Sequence, residues 1–329
     1  MELIETEGRP ARVQLAQLPT PLEFADRLSE HWGGPRIWIK RDDLTGFGLS
    51  GNKVRKLEYQ LGKAAIDGAT ALVTCGAVQS NHCRATALVA ARTGLRCVLV
   101  LRSSDGGPPV RPEGNHLLQR LAGAEVRFIT PRQWLDRDAV MREIGEELAA
   151  EGEVPRLIPA GASDRLGMFA FEDALHELAD QVTAQVHGPV TIWHASSSGG
   201  TTAGLALGVL RMRGGFEVVG SSVGESEAEL RATVLTLLEK EQAEHAEFEI
   251  VDDYVGAGYG RTTDEELAVQ VEATGLTGLI WDPTYTGKAL YALRQEIAAG
   301  RFGPDDDVVF WHTGGGFAAF AHDFSGVLP

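Results

Sequence analysis

From residue 71 onward the chain repeats a pattern that few folds accommodate: short, uninterrupted apolar runs alternate with amphipathic stretches of helical spacing. The run Cys97-Val98-Leu99-Val100-Leu101 shows no polar alternation, so a strand built from it must be covered on both faces. Strands covered on both faces and each followed by a helix form a mostly parallel sheet. The pattern predicts strands at 71–75, 97–101 and 125–129, with helices at about 80–93, 112–122 and 131–150. It returns after Pro159, predicting strands near 190–195, 217–223, 248–254, 278–281 and 307–312 and helices at 164–186, 201–213, 225–243, 262–274 and 286–299. Upstream, Arg36–Lys40 alternates as a half-buried strand, and 53–68 carries Leu57, Leu61, Ala64 and Ala65 at helical spacing. The expected fold is α/β, with two open, mostly parallel, twisted sheets covered by helices and a seam around Gly152 to Gly161. In such sheets ligands bind beyond the carboxyl ends of the strands, which directs attention to the strand-to-helix loops.

Composition narrows the partners. The 329 residues carry a formal net charge of −16, which argues against a nucleic-acid backbone as partner. Cys75, Cys83 and Cys97 match no metal-ligand or redox spacing and, being odd in number, make a poor disulfide framework. They read as buried thiols of a reducing compartment. The N-terminus is acidic and lacks the order of a secretory signal, and the most apolar region, Ala85 to Leu101, is interrupted by Arg92, Gly94 and Arg96. The expectation is a soluble, cytoplasmic enzyme of small molecules with no metal site and no membrane partner.

Against that acidic background, Arg36, Lys40, Arg41, Lys53, Arg55 and Lys56 place six of 30 Lys and Arg within 21 residues. Lys53, Arg55 and Lys56 fall where a helix begins, a position whose partial positive charge disfavours cations unless an anion is held nearby. The lead-in Ser50-Gly51-Asn52 suits a tight turn, and a lysine in such a turn is a candidate covalent nucleophile. A second loop, Gly76 to His82, offers a hydroxyl, an amide and an imidazole from Ser80, Asn81 and His82 at one helix start. Ser80 or Asn81 serves equally as an ordinary helix cap. The third loop, Ser196 to Gly204, follows an apolar strand and precedes a helix, as an anion cradle requires. It has neither the ending of a P-loop nor the spacing of a dinucleotide fingerprint, so a compact phosphate monoester is the better match. Tyr259, in Gly256-Ala257-Gly258-Tyr259-Gly260, and Tyr285, in Asp282-Pro283-Thr284-Tyr285-Thr286-Gly287-Lys288, place phenols in glycine-rich surroundings. His312 reads as a core histidine. A lysine for an aldehyde, a Ser/Gly cradle for a phosphate, and hydroxyls for a ring nitrogen and a ring oxygen together suggest pyridoxal 5'-phosphate.

The segments SGNKVRKLEY, GAVQSNHCRATA, SSSGGTTAGLALG, GAGYG, DPTYTGKAL and HTGGGFAAF stand in the order and spacing of one enzyme family. From about residue 19 to 322 the chain resembles the fold-type II pyridoxal-phosphate enzymes of the ACC deaminase and D-cysteine desulfhydrase family. The resemblance implies that Lys53 carries the cofactor and that Lys56 contacts its phosphate. Asn81 would sit by the ring oxygen, and Ser198, Gly199, Gly200 and Thr201 would cradle the phosphate. Thr286 or Thr313 would meet the pyridine nitrogen. Ser80, Asn81 and His82 would bind substrate, with Lys53, Ser80, Tyr259 and Tyr285 as the catalytic set. It implies a homodimer, and a small domain at 55–163 inserted in a larger domain made of 1–54 and 164–329.

The chain departs from the family at four places. ACC deaminases typically have Glu after the tyrosine of the DPxY motif, where this chain has Thr286; Ser50, Ser196 and Ser197 replace the usual residues of two loops, and HTGGG replaces the usual HTGGxP. A carboxylate keeps a pyridine nitrogen protonated and a hydroxyl need not, which points away from ACC ring opening. The expected activity is β-elimination from a small amino acid, D-cysteine desulfhydrase-like, giving pyruvate, ammonia and sulfide. L-cysteate sulfo-lyase and ACC deaminase activities are the alternatives, and a non-catalytic pyridoxal-phosphate-binding protein is the competing class.

Overall fold

A computed structural model of the chain describes residues 2–183, 186 and 189–328. They form two compact units, Met1–Ala16 with Gly46–Phe169 and Gln17–Thr45 with Ala170–Pro329. The units divide at 16/17, 45/46 and 169/170. The Lys53–Ile66 helix packs on strand Arg12–Val13 and helix Asn81–Thr93 and joins the first unit from its first residue.

The first unit is built on a four-stranded, all-parallel sheet, ordered Glu125–Ile129, Arg96–Arg102, Ala71–Ala77, Pro155–Ile158. The continuous apolar runs are explained by its two covered faces. Leu72, Leu99 and Leu101 join one core cluster with Leu57, Leu61 and Val89, while the alternate residues Val73, Val98 and Val100 join another with Met141, Ile144 and Leu148.

The second unit holds a six-stranded sheet, ordered Glu249–Val251, Phe216–Ser222, Val190–Ser196, Asp307–His312, Arg36–Arg41, Leu22–Phe24. All neighbours pair in parallel except Leu22–Phe24, an antiparallel edge strand on Arg36–Arg41. Here too successive residues part to opposite faces: Trp193, Val219 and Phe310 pack with Leu290 and Leu293, and Ile192, Val218 and Val309 pack with Leu175 and Leu178.

The predicted strand at 278–281 is not formed. Gly278, with φ of 71°, ends the Asp264–Thr277 helix in the left-handed region, and Trp281 turns inward to stack on His312 at 4.6 Å between ring centroids. The strand predicted at 248–254 is confined to Glu249–Val251. The helix predicted at 131–150 starts at Arg137 after a short 3-10 turn, Gln133–Asp136. The helix predicted at 164–186 is Arg165–Thr183, with 184 and 185 outside the described residues. Among the described residues no helix is long and apolar enough to cross a membrane, and no cluster of His, Cys, Asp or Glu is arranged to hold a metal ion.

Candidate active site

In the first unit, four successive residues before Lys53 have positive φ: Gly48 at 57°, Leu49 at 60°, Ser50 at 66° and Gly51 at 112°. For a residue with a Cβ this conformation costs about 1–2 kcal/mol, so Leu49 and Ser50 need support. Ser50 N donates to Phe47 O at 2.6 Å, Ser50 Oγ accepts from Gly46 N at 3.0 Å, and Ser50 O accepts from Arg84 Nη2 at 2.7 Å. The turn delivers Lys53 to the first position of the Lys53–Ile66 helix. Lys53 is half-buried, and desolvation lowers its ammonium pKa to about 8, which makes the nucleophilic free amine accessible near neutrality. Lys56 is fully buried, 3.4 Å from Ser163 Oγ. Burial and then Lys53 push its pKa well down, against an upward pull from Asp164. An anion beside these two amines would relieve that repulsion.

The strand Ala71–Ala77 runs into the helix Asn81–Thr93 through a contact only glycine permits: a Cβ on Gly76 would lie 2.6 Å from Ser80 Oγ and 2.8 Å from Cys83 Sγ. Ser80 caps this helix, its Oγ accepting from Cys83 N at 3.1 Å. Asn81 Oδ1 accepts from Asn115 Nδ2 at 2.8 Å and from Arg84 Nη1 at 3.5 Å. His82 is turned into the core. Thr74 Oγ1 donates to Ile158 O at 2.8 Å, so its contact of 2.7 Å with His82 Nε2 must be one in which the imidazole donates. His82 Nδ1 is then a buried lone pair with no hydrogen-bond partner among the described residues. Burial, then Lys53 and Lys56, hold the ring well below its ordinary pKa and hence neutral.

In the second unit, Val190–Ser196 ends in the Ser/Gly loop. Gly199, with φ of 72°, turns the chain into the helix Gly200–Met212, and Thr202 Oγ1 ties back to Ser196 Oγ at 2.7 Å. Ser198, Gly199, Gly200 and Thr201 thus occupy a helix start with backbone N–H groups leading the dipole. Ser197 Oγ donates to Glu225 Oε1 at 3.1 Å.

Tyr259 and Tyr285, 26 residues apart, are brought together in this unit: their hydroxyls lie 2.5 Å apart and their rings meet edge to face at 5.8 Å. Burial, then Tyr259, raises the Tyr285 pKa well above the ordinary value, with Asp282 and Glu225 adding to it. The Tyr259 segment is tied to the Tyr285 helix by Lys288. Its Nζ donates to Val255 O at 2.7 Å and to Glu266 Oε1 at 3.1 Å, while Glu266 Oε2 accepts from Thr263 N at 2.8 Å. Thr286 is fully buried, and its Oγ1 accepts from Asp282 N at 2.7 Å. Thr313 follows the strand Asp307–His312 directly. His312 is buried and stacked on Trp281, with Gly314 N donating to its Nδ1 at 3.1 Å.

Sequence reasoning passed over Arg84, Asn115, Glu225, Glu266 and the ion-paired role of Lys288. A cation at position 84 inside the otherwise small and apolar stretch Cys83 to Ala91 was the available signal, since a buried arginine must find acceptors.

Each unit carries groups that suit pyridoxal phosphate: the first a half-buried amine of lowered pKa and a buried second amine, the second a glycine-turned helix start of phosphate-binding type. The family of enzymes dependent on this cofactor is the class to which the chain belongs, its model matching residues 13–314 as "Pyridoxal-phosphate dependent enzyme". Among curated proteins, D-cysteine desulfhydrases of Salmonella choleraesuis (strain SC-B67) and Salmonella paratyphi C (strain RKS4594) are each 37% identical over 318 residues, covering 94% of this chain and 96% of theirs. Among solved structures, a crystal structure of an ACC deaminase homologue superposes with a TM-score of 0.86 at 35% identity, covering 95% of this chain and 94% of that one.

Proposed function

We propose that the protein is a lyase eliminating the β-substituent of a small amino acid, with D-cysteine as the substrate read first: D-cysteine and water give pyruvate, ammonia and hydrogen sulfide. The observation that carries this reading is Lys53, a half-buried amine whose pKa burial lowers to about 8. Bound pyridoxal phosphate supplies an aldehyde that exchanges amines and a conjugated ring that accepts the electron pair left on Cα. Lys53 Nζ holds the cofactor at rest and, once displaced by the substrate amine, takes the proton from Cα. Ser80 and the backbone of Asn81, at a helix start, hold the substrate carboxylate, while the Asn81 side chain meets the cofactor ring oxygen. The Tyr259–Tyr285 pair, with Tyr285 kept protonated by its raised pKa, hands a proton to the departing sulfur. Lys56 and the Ser198–Thr201 loop hold the phosphate.

Two observations favour this substrate class. Thr286 replaces a carboxylate at the ring-nitrogen position, and its hydroxyl is engaged both ways, accepting from Asp282 N at 2.7 Å and donating to Asp282 O at 3.5 Å; we therefore assign the ring nitrogen to Thr313. A hydroxyl leaves that nitrogen free to be neutral, adequate for losing a good leaving group and weak for opening a cyclopropane. Glu225 places a carboxylate near the tyrosine pair, where it raises the Tyr285 pKa. A sulfonate leaving group would be repelled there, which disfavours cysteate. Location in the cytoplasm and the absence of nucleic-acid partners complete the proposal on the acidic charge, and a homodimeric state on the resemblance to the family. The larger domain of 1–54 with 164–329 around an inserted 55–163 is part of it.

The test is a parallel assay of D-cysteine, L-cysteate, D-serine and ACC, measuring pyruvate, 2-oxobutyrate and sulfide. Sulfide and pyruvate from D-cysteine, lost in Lys53→Ala, is the expected outcome. Preferential turnover of ACC or cysteate, or cofactor binding without turnover of any of the four, overturns it.

A further inference from the structure

Three side chains of the first unit form a chain in which each fixes the polarity of the next. Arginine has donors and no acceptor. Arg84 is 1% exposed, and its Nη1 donates to Asn115 Oδ1 at 3.0 Å. That contact settles which end of the Asn115 amide is oxygen, a choice an amide alone leaves open. Asn115, also fully buried, must then present its nitrogen on the other side. Its Nδ2 donates to Gln79 O at 2.9 Å and to Asn81 Oδ1 at 2.8 Å. Arg84 Nη1 approaches the same Asn81 oxygen at 3.5 Å. With Oδ1 facing two donors, Asn81 turns its Nδ2, a donor, the other way. Arg84 also holds the second edge of the site, since its Nη2 donates to Ser50 O at 2.7 Å in the left-handed turn that introduces Lys53.

We propose that Arg84 is a positioning residue that acts through Asn115 to fix Asn81 as a hydrogen-bond donor toward the cofactor ring oxygen, while holding the Ser50 carbonyl of the Lys53 turn. The inference rests on the placement of Asn81 beside the cofactor proposed above. It gives Arg84 a role distinct from charge neutralisation: the acceptors at Ser50, Asn81 and Asn115 are neutral oxygens. A donor at an anionic ring oxygen draws off charge that otherwise helps retain the proton on the neighbouring Lys53 nitrogen. Losing that donor, or turning the amide so that its oxygen faces the ring, therefore moves the protonation midpoint upward.

The readout is the pH midpoint of the visible absorbance band of pyridoxal phosphate bound to the protein, which requires no turnover. Asn81→Ala should raise the midpoint by about one pH unit, the scale of one hydrogen bond to a charged group. Arg84→Met should raise it in the same direction. The double variant should go no further than Asn81→Ala alone, because both changes remove one interaction. A purely structural arginine would give a shift that adds to that of Asn81→Ala, or none, and either result overturns the proposal. Should Arg84→Met fail to fold, Asn115→Leu decides: it breaks the relay and leaves Arg84 on Ser50 O. A wild-type midpoint in a folded Asn115→Leu protein would refute the relay, and an upward shift absent from the Asn81→Ala background would support it. If wild-type protein binds the cofactor but releases no sulfide from D-cysteine, the proposed reaction falls while the midpoints still decide the role of Arg84. If wild type binds no pyridoxal phosphate at Lys53, both fall.

Discussion

Replacing Lys288 with methionine would test how the tyrosine pair is held. Lys288 is 0% exposed and Glu266 1% exposed, so their 3.1 Å contact is a buried ion pair. Methionine keeps most of the stem volume and removes every donor. Glu266 is then left with a buried, uncompensated charge, a loss of about 3–5 kcal/mol in comparable settings. Val255 O also loses the donor that now reaches it at 2.7 Å. A pair at the surface would cost at most about 1 kcal/mol, so the two descriptions separate clearly. Adding Glu266→Gln removes the stranded charge and should restore about 1–3 kcal/mol relative to additivity. Urea unfolding followed by circular dichroism, with the slope checked for constancy, measures all three variants. Because Val255 and Glu266 flank the Tyr259 segment, Lys288→Met should also lower turnover by about tenfold or more, as expected when a catalytic group is displaced by a fraction of an ångström. A stability loss below about 1 kcal/mol, or strict additivity in the double variant, would refute the account of Lys288 as the tie between the tyrosine-bearing segments.

Lys53 makes a prediction with a definite sign. Its folded pKa, about 8, lies below the ordinary lysine value of 10.5, so between those values the unfolded chain binds more protons and the group's contribution to stability rises with pH. Apo Lys53→Met should therefore be more stable than the apo wild type at pH 7, with the gap closing as pH approaches 10.5. A gap that stays constant across that window would show that Lys53 has no depressed pKa. Gly76→Ala would force a methyl to 2.6 Å from Ser80 Oγ and 2.7 Å from Ser80 Cβ. We expect a loss of about 1–3 kcal/mol in thermal unfolding and a raised KM, and a variant indistinguishable from wild type would show that the strand and helix have room to part.

The parts of this molecule legible in the sequence are those governed by local pattern. Glu125–Ile129 and Asp307–His312 both keep the predicted bounds, the second as a run buried at every position and the first by alternating exposed Arg127 with the apolar Val126 and Phe128. Pro155–Ile158 was hidden because it is short, carries Arg156, and is a strand only through pairing with Ala71–Thr74 far back in the chain. The apolar stretch at 278–281 misled for the converse reason: Trp281 is buried by stacking on His312 rather than by a sheet. In the site, residue types were readable and contacts were not. Nothing local announces that Tyr259 meets Tyr285, that Lys288 pairs with Glu266, or that the hydroxyl of Thr286 is engaged by Asp282 N.

That last contact bears on what the site does with its hydroxyls. A threonine whose oxygen already accepts a backbone N–H serves as the local brace of its own helix start, in the way a capping side chain does. Asp282 completes the brace from the other side, its Oδ1 accepting from Thr284 N and Tyr285 N, each at 2.7 Å. The segment Asp282–Thr286 is thereby fixed by three short hydrogen bonds around Tyr285, and the rigidity falls on the phenol rather than on a group for the ring nitrogen. A carboxylate in place of Thr286 would accept the same backbone N–H and still bring a charge; threonine brings the brace alone. In the reaction proposed above, this arrangement concentrates its fixed geometry on the group that would protonate the leaving group, a tyrosine pair 2.5 Å apart, and leaves the ring nitrogen without a built-in anion in this segment. This is the balance expected of an enzyme whose substrate already carries a good leaving group on its β-carbon.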